Sequence, residues 1–271
     1  MSAAIPTAVT KADTTAAADA PIAIAPPPPR RRVQWRRASR ALGRLIDDPE
    51  RTEQVFELIE ALAGNSGERL FQRFLRQPNG PRLLREKPAL LATLRDLPAL
   101  ESLPEGSFGR AYAAFMWEGE LRAEGLLEAS EQAEREGREQ PIDPERDWFY
   151  ARLRDMHDLW HVLTGYGRDV AGEAANLAFT HAQMRNRGVG VIVLAAVVLG
   201  PKTLDLRWPR YLWRAWRRGQ RAALLCAARY EELLPLPLDE ARRRLSVSPP
   251  AQAHPEGILV AHRDELVAVA R

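Results

Sequence analysis

The sequence predicts an all-α fold, a single-domain helical bundle behind a disordered N-terminal tail. Three observations lead there. In most segments the apolar residues recur three and four positions apart, which lines one face of a helix. Helix punctuation falls between those segments, with Asp or Ser ahead and Gly or Pro behind. Paired alternating runs of the kind that make hairpins are missing, and so is an internal repeat. Helices joined by short connections pack as a bundle.

Residues 1–34 read as the tail. They are rich in Ala, Thr and Pro and lack the continuous apolar core of a secretory signal. Pro26 to Pro29 form a stiff extended spacer, and arginines begin only at Arg30. The helical domain spans 35–247. Asp48-Pro49-Glu50 reads as a cap, a first-position proline and an acidic first turn, ahead of a helix through Val55, Phe56, Leu58, Ile59 and Leu62 that stops at Gly64. Ser66 caps the next, with Leu70, Phe71, Phe74 and Leu75 on one face, and Pro78 and Gly80 end it. A leucine pattern from Leu83 to Leu94 is interrupted by Pro88. Ser107 caps a helix through Tyr112, Phe115 and Met116, and Pro144 starts a long helix through His157. Helical patterns resume over 170–187, 189–199, 209–230 and 238–245. Residues 248–271 form a C-terminal tail with a short amphipathic helix from Ile258 to Ala270.

The chain has 271 residues, 45% apolar and 28% charged, enough for a sizeable soluble core. Its 39 Lys+Arg against 36 Asp+Glu leave a net charge of +3, so basic behaviour is local. The single cysteine, Cys226, excludes an intramolecular disulfide and argues against a Cys-based zinc site. Val189 to Leu199 (VGVIVLAAVVL) is the longest apolar run and falls short of the roughly 20 residues of a membrane span. It reads as a buried helix or the wall of a lipid pocket.

Chemistry concentrates in HDLWHVLTGYGRDVAGE, His157 to Glu173. His157 and His161 are four apart and share a helix face. Asp158 is turned by roughly 100° from His157 and about 60° from His161, so the three converge beside the helix. If 164–168 is a turn between antiparallel helices, Glu173 arrives opposite His161. Two imidazoles and two carboxylates suit Zn²⁺, with Fe²⁺ as the alternative. A zincin would need Glu where Asp158 stands. A histidine-aspartate phosphohydrolase would need distant ligands, and only His181, His254 and His262 remain.

The spacing HD-x2-H-x11-E resembles the signature of the coenzyme Q (ubiquinone) biosynthesis protein four family, matched at His157, Asp158, His161 and Glu173. DPERTEQVFELIEALAG, LPEGSFGRAYAAFM, DMHDLWHVLTGYGRD, AFTHAQMRNRGVG and LPLDEARRRL are similar too, so the resemblance covers about Trp35 to Val247. It implies an all-helical protein of ubiquinone synthesis that binds a divalent metal, usually zinc, through those four residues. The implied activity is removal of the ring carboxylate from a polyprenyl-hydroxybenzoate, with hydroxylation at that carbon as an oxidative variant. The family is also implied to organise other quinone-biosynthesis enzymes near the membrane.

Further expectations follow. Arg168 pairs with a substrate carboxylate, and Tyr166 donates a hydrogen bond or proton. Leu177, Phe179, Val191, Leu194 and Val198 line a pocket for the isoprenoid tail. The basic, Trp-bearing stretches Arg30 to Arg37 and Arg207 to Arg221 suit an anionic membrane surface rather than nucleic acid, because the implied substrate is a lipid. The chain reads as a homo-oligomeric bacterial cytoplasmic protein, peripheral to the inner membrane. A non-catalytic lipid-binding scaffold with a structural metal is the alternative to the enzyme.

Overall fold

Apolar stripes of this kind bury themselves by helix–helix packing, and the observed fold is built that way throughout. The structure, a computed structural model, describes residues 24–47, 52–119, 143–200 and 206–261. Fifteen α-helices and no strand occur among them. They are α1 (Trp35–Asp47), α2 (Thr52–Ala63), α3 (Ser66–Leu75), α4 (Gly80–Glu86), α5 (Leu90–Arg95), α6 (Leu97–Glu101), α7 (Phe108–Glu118) and α8 (Pro144–Asp155). The chain continues with α9 (His157–Thr164), α10 (Val170–Met184), α11 (Arg187–Leu199), α12 (Arg207–Arg221), α13 (Tyr230–Leu233), α14 (Leu238–Arg244) and α15 (Pro250–Ala253).

Side-chain caps set the starts of α7, α8, α10 and α11. Ser107 Oγ accepts from the Arg110 N–H, and Asp143 Oδ1 from the Arg146 N–H. Asp169 Oδ1 accepts from Ala171 and Gly172, and Asn186 Oδ1 from Gly188 and Val189. The cap expected at Asp48-Pro49-Glu50 lies outside the described residues. The helix from Pro144 does not run unbroken into the motif: it ends at Asp155, and α9 begins at His157 after Met156.

Helix α10 is the spine. Helix α12 packs along it, α11 folds back on it, and α9 reaches it through a tight turn. The α10–α12 crossing is close because Gly219 meets backbone: a Cβ there would lie 2.5 Å from the Phe179 carbonyl oxygen. The main core gathers around Phe71, Phe74, Phe108, Phe149, Leu159 and Phe179. A smaller cluster of Ala38, Ala41, Leu58, Ala61, Leu62 and Ile192 joins α1 and α2 to α11. Cys226 lies buried in a 3₁₀ turn, and burial pushes its thiol up to about 12.

Both tails differ from expectation. Residues 24–34, the end of the expected disordered tail, run extended and are tied down. The Gln34 N–H donates to the Ala61 carbonyl (2.8 Å), the Arg31 N–H to Asn65 Oδ1 (3.0 Å), and Arg146 Nη1 to the Ala25 carbonyl (3.2 Å). At the other end the short helix is Pro250–Ala253. Residues 258–261 are not helical, because their backbone is spent elsewhere: Val170 N–H donates to Ala261 O (3.1 Å) and Ala261 N–H to Asp169 Oδ1 (2.9 Å). Residues 262–271 lie outside the described residues.

Arg146 is 1% exposed and binds Glu68 through two nitrogens (2.7 and 3.0 Å) and Asp143 through a third (2.6 Å). Burial opposes the charge on Glu68 and Asp143, but the arginine's hydrogen bonds and charge outweigh it and hold both below the usual carboxylate range. Carboxylates depressed in the folded state stabilise fully above their unfolded pKa, and that stability is lost as pH falls through the folded pKa. Arg146→Met is therefore expected to cost roughly 3 kcal/mol near neutrality, since it leaves buried charge unpaired. The gap from wild type should narrow in acid, and a pH-independent gap in denaturant midpoints would refute the clamp.

The α9–α10 turn depends on Gly172, where a Cβ would lie 2.1 Å from the Gly167 carbonyl oxygen. Gly172→Ala is expected to destabilise by about 1–3 kcal/mol through overpacking against backbone, read by urea unfolding. Unchanged stability would mean that the turn relaxes freely.

Candidate metal centre

His157 opens α9, and His161 follows one turn later on the same face. Their ring centroids are 4.8 Å apart. After α9, Gly165 takes a left-handed conformation (φ 69°), and its N–H donates to the His161 carbonyl (2.7 Å). The chain turns, Asp169 caps α10, and Glu173 stands in that helix's first turn. The result is a cluster of His157, His161 and Glu173 in which one ligand atom from each lies within 4.8 Å of the others.

The side chain of His161 is buried, and its two nitrogens face different partners. Nδ1 is 3.0 Å from the Tyr166 carbonyl. A carbonyl only accepts, so Nδ1 carries the hydrogen, and Nε2 of the neutral ring is a lone pair. Nε2 is buried without a hydrogen-bond partner and lies 3.5 Å from Glu173 Oε2. Two electron-rich atoms at that distance call for a cation between them, either a proton or a metal ion. Phe115 stacks on the His161 ring (5.6 Å, 24°), and the Arg168 guanidinium stacks on Phe115 (4.8 Å).

Asp158 is not part of the cluster. Its Oδ1 accepts from His157 Nδ1 at 3.1 Å. The turn of roughly 100° between adjacent helix positions brings the carboxylate to the flank of the His157 ring. This leaves His157 Nε2 free to act as a ligand and fixes the ring, as carboxylates do behind metal-bound imidazoles. Burial disfavours the charged His157, but the Asp158 hydrogen bond and the charges of Asp158 and Glu173 outweigh it and raise its pKa. Burial likewise opposes charge on Asp158 and Glu173. The bond to His157 with nearby positive charge holds Asp158 below the usual range, and a proton on His161 Nε2, with the positive charge of the two histidines, does the same for Glu173.

Tyr166 reaches the centre only through its carbonyl. Its hydroxyl points the other way and shares a hydrogen bond with His254 Nε2 (2.8 Å). Burial and the charges of Arg218 and Arg214 lower His254 to about 4. Arg168 reaches the centre through Phe115, with its guanidinium against Gly119 in the space a side chain there would fill.

The structure contains a cavity near the motif, and most of the residues expected to line a tail pocket lie away from it. A cavity of about 830 Å³ lies between α2, α3, α8, α9, α10 and α11, under residues 26–32. His157 and Trp160 are on its wall, with Leu70, Leu153, Leu177 and Met184. None of Phe179, Val191, Leu194 and Val198 lines it. Phe179 is wholly buried against Trp160, and Val191 packs on the α1–α2 cluster. Leu194 (62%) and Val198 (68%) are exposed, because α11 turns that side away from α10 and α2. Among the described side chains of the apolar run, only Val189 reaches the cavity. The sequence reading also missed Phe115 and the Arg146 clamp. Phe115 looks like any member of the α7 stripe, and Arg146 like a surface residue of a first turn.

Comparison with known proteins gives the family and the fold. The model of the family described as coenzyme Q (ubiquinone) biosynthesis protein Coq4 matches residues 36–251. A mitochondrial ubiquinone biosynthesis protein coq4 of Aspergillus terreus is 33% identical over 182 residues, 67% of this chain and 60% of that protein's length. Its counterpart in Aspergillus flavus is 32% identical over 78% of this chain and 70% of its own. The mitochondrial homolog of Rattus norvegicus is 28% identical over 82% and 80%. A crystal structure from Nostoc punctiforme PCC 73102, named for ubiquinone biosynthesis, shares the fold with a TM-score of 0.57 at 21% identity, covering 80% of this chain and 100% of that one. The match takes in α1 through the start of α15, the whole of the His157–His161–Glu173 cluster included, and the chain belongs to the Coq4 family of ubiquinone biosynthesis proteins.

Proposed function

We propose that His157, His161 and Glu173 hold a divalent metal, zinc first and iron as the alternative, and that the chain decarboxylates a polyprenyl-hydroxybenzoate in ubiquinone biosynthesis. One observation carries the reading: the buried Nε2 lone pair of His161 faces a carboxylate oxygen 3.5 Å away, while Nδ1 is committed to Tyr166. Two histidines and one carboxylate are a donor set for zinc with an open position, and equally for non-haem iron. That open position favours an enzyme over a scaffold with a closed structural site.

A bound cation of this kind supplies Lewis-acid stabilisation to a phenolate or carboxylate. The chain's own residues do the rest. Asp158 orients His157 through Nδ1. Phe115 and Arg168 stack beside His161 and hold a positive charge there, which suits the carboxylate that is lost. The bond from ring carbon to carboxylate breaks, CO₂ leaves, and the ring carbon takes up a proton. Zinc has no redox chemistry and fits this route; hydroxylation at the same carbon would need iron and an external oxidant. The cavity beside His157 has the size of a lipid-ligand pocket, and its wall offers mainly apolar surface between charged and polar residues. It receives the prenyl tail, which puts the aromatic head at the metal. No helix among the described residues is long and apolar enough to cross a membrane, so the lipid is met from the surface. Other quinone-biosynthesis enzymes and a second copy of the chain are the expected partners.

Elemental analysis of the purified protein is expected to find about one metal per chain, lost in His157→Ala and Glu173→Ala. In Asp158→Asn the stoichiometry should survive with affinity weakened about 10–100-fold, the usual cost of removing an orienting partner. Complete loss of metal in Asp158→Asn would make that residue a ligand instead. With a short-tailed prenyl-hydroxybenzoate, the wild type is expected to release CO₂ and the His157→Ala variant not to. A metal-loaded wild type that binds the lipid without turnover would favour the scaffold.

A further inference from the structure

Residues 24–34 cross the cavity as a strap, and most of them lie outside anything the centre itself requires. Pro26, Pro28, Pro29, Arg30, Arg31 and Arg32 form part of the cavity wall, opposite His157 and Trp160. Their outer sides are exposed. The strap is held mainly near its two ends, by the Arg146 bond to Ala25 O and by the Arg31 and Gln34 N–H bonds to Asn65 and Ala61. Between these, Pro26 to Pro29 have no N–H to donate, so this stretch can be bonded to its neighbours only through its carbonyls and is stiff in itself. Ile24 and Val33 pack on the two cores, but residues 25–32 between them are exposed and open at lower cost than a buried segment. The strap also precedes residue 36, where the match to the family begins.

The strap continues into a basic face. Arg30, Arg31, Arg32, Arg36, Arg40 and Arg44 are all exposed, and Trp35 is 69% exposed beside them. Arg31 and Arg37 engage Glu60, and Arg37 also Glu57. The Arg31–Glu60 pair is a surface contact at 3.4 Å, of a kind easily exchanged for another anion. By contrast, the second basic stretch is partly spent on the fold: in α12, Trp208, Tyr211 and Arg218 are buried. Arginines flanking an exposed tryptophan match an anionic lipid surface, with the ring at headgroup depth and the cations on the phosphates.

We propose that the strap and the exposed face of α1 dock on an anionic lipid surface, and that docking lifts the strap and opens the cavity toward the bilayer. This rests on the cavity being the lipid site, but its test needs neither metal nor turnover. Entry of a prenylated substrate is then confined to protein seated on a membrane.

The full chain carrying Cys226→Ala, Pro28→Cys and Arg69→Cys would be spin-labelled and the distance between strap and α3 read by pulsed electron resonance, with vesicle flotation in parallel. In solution one narrow distance is expected. Phosphatidylcholine vesicles containing phosphatidylglycerol should bind the protein and shift the distance longer and broader. An extension on the order of 10 Å is within reach of a released segment of this length. Pure phosphatidylcholine should do neither. Arg30→Gln, Arg31→Gln and Arg32→Gln together should abolish the shift; these side chains are exposed and their loss leaves the fold intact. An unchanged distance in protein that floats with anionic vesicles would overturn the gate. An equal shift with a short DNA duplex would overturn the assignment to lipid.

Discussion

The hydrogen bond from His161 Nδ1 to the Tyr166 carbonyl is the contact on which the centre depends. It spans the end of α9 and the start of the turn, so it forms only when the turn has its present shape. That shape needs Gly165 in the left-handed region and Gly172 bare enough to lie on the Gly167 carbonyl. Asp169 then starts α10 at a fixed point and ties it to the backbone of Ala261. The same hydrogen bond decides which nitrogen of His161 remains available. Backbone geometry and ligand chemistry are thus settled by one interaction.

Behind the turn the fold spends charge to hold the frame. Arg218, 3% exposed, reaches the Thr164 carbonyl (2.7 Å) and the Ser248 carbonyl, and so joins α12 to the end of α9 and to the C-terminal segment. Arg242 binds the Leu163 and Val162 carbonyls from α14. The last carbonyls of an α-helix have no partner within the helix, and cations there also oppose its dipole. An eight-residue helix is short to stand alone, and these two arginines complete its C-terminal end. Arg146 performs a similar service on the far side, for the strap and α3.

Most of the fold was legible because helices bury stripes, and stripes survive in the sequence. The meeting of His157, His161 and Glu173 was legible for a related reason: H-x3-H fixes a helix face, and a glycine-bearing turn of known length fixes where Glu173 returns. Asp158 was misplaced because its angle to His161 suggested convergence, while the short reach to its own neighbour won. Leu194 and Val198 show the limit of composition. An apolar run states that a helix has partners, not which sides they cover. Residues 24–34 were read as free chain because prolines and arginines carry no packing signal, and their anchors are backbone groups and a distant arginine.

The turn between α9 and α10 also sets a rule of count. Glu173 lies twelve positions after His161, in the first turn of a helix whose start is pinned by Asp169. One residue inserted between Asp169 and Glu173 would swing the carboxylate about 100° around the helix axis. Seven would nearly restore its bearing and carry it about 10 Å along the axis instead. Neither leaves it facing His161. The eleven residues between His161 and Glu173 act as a phase lock, free in much of their lettering and rigid in their number.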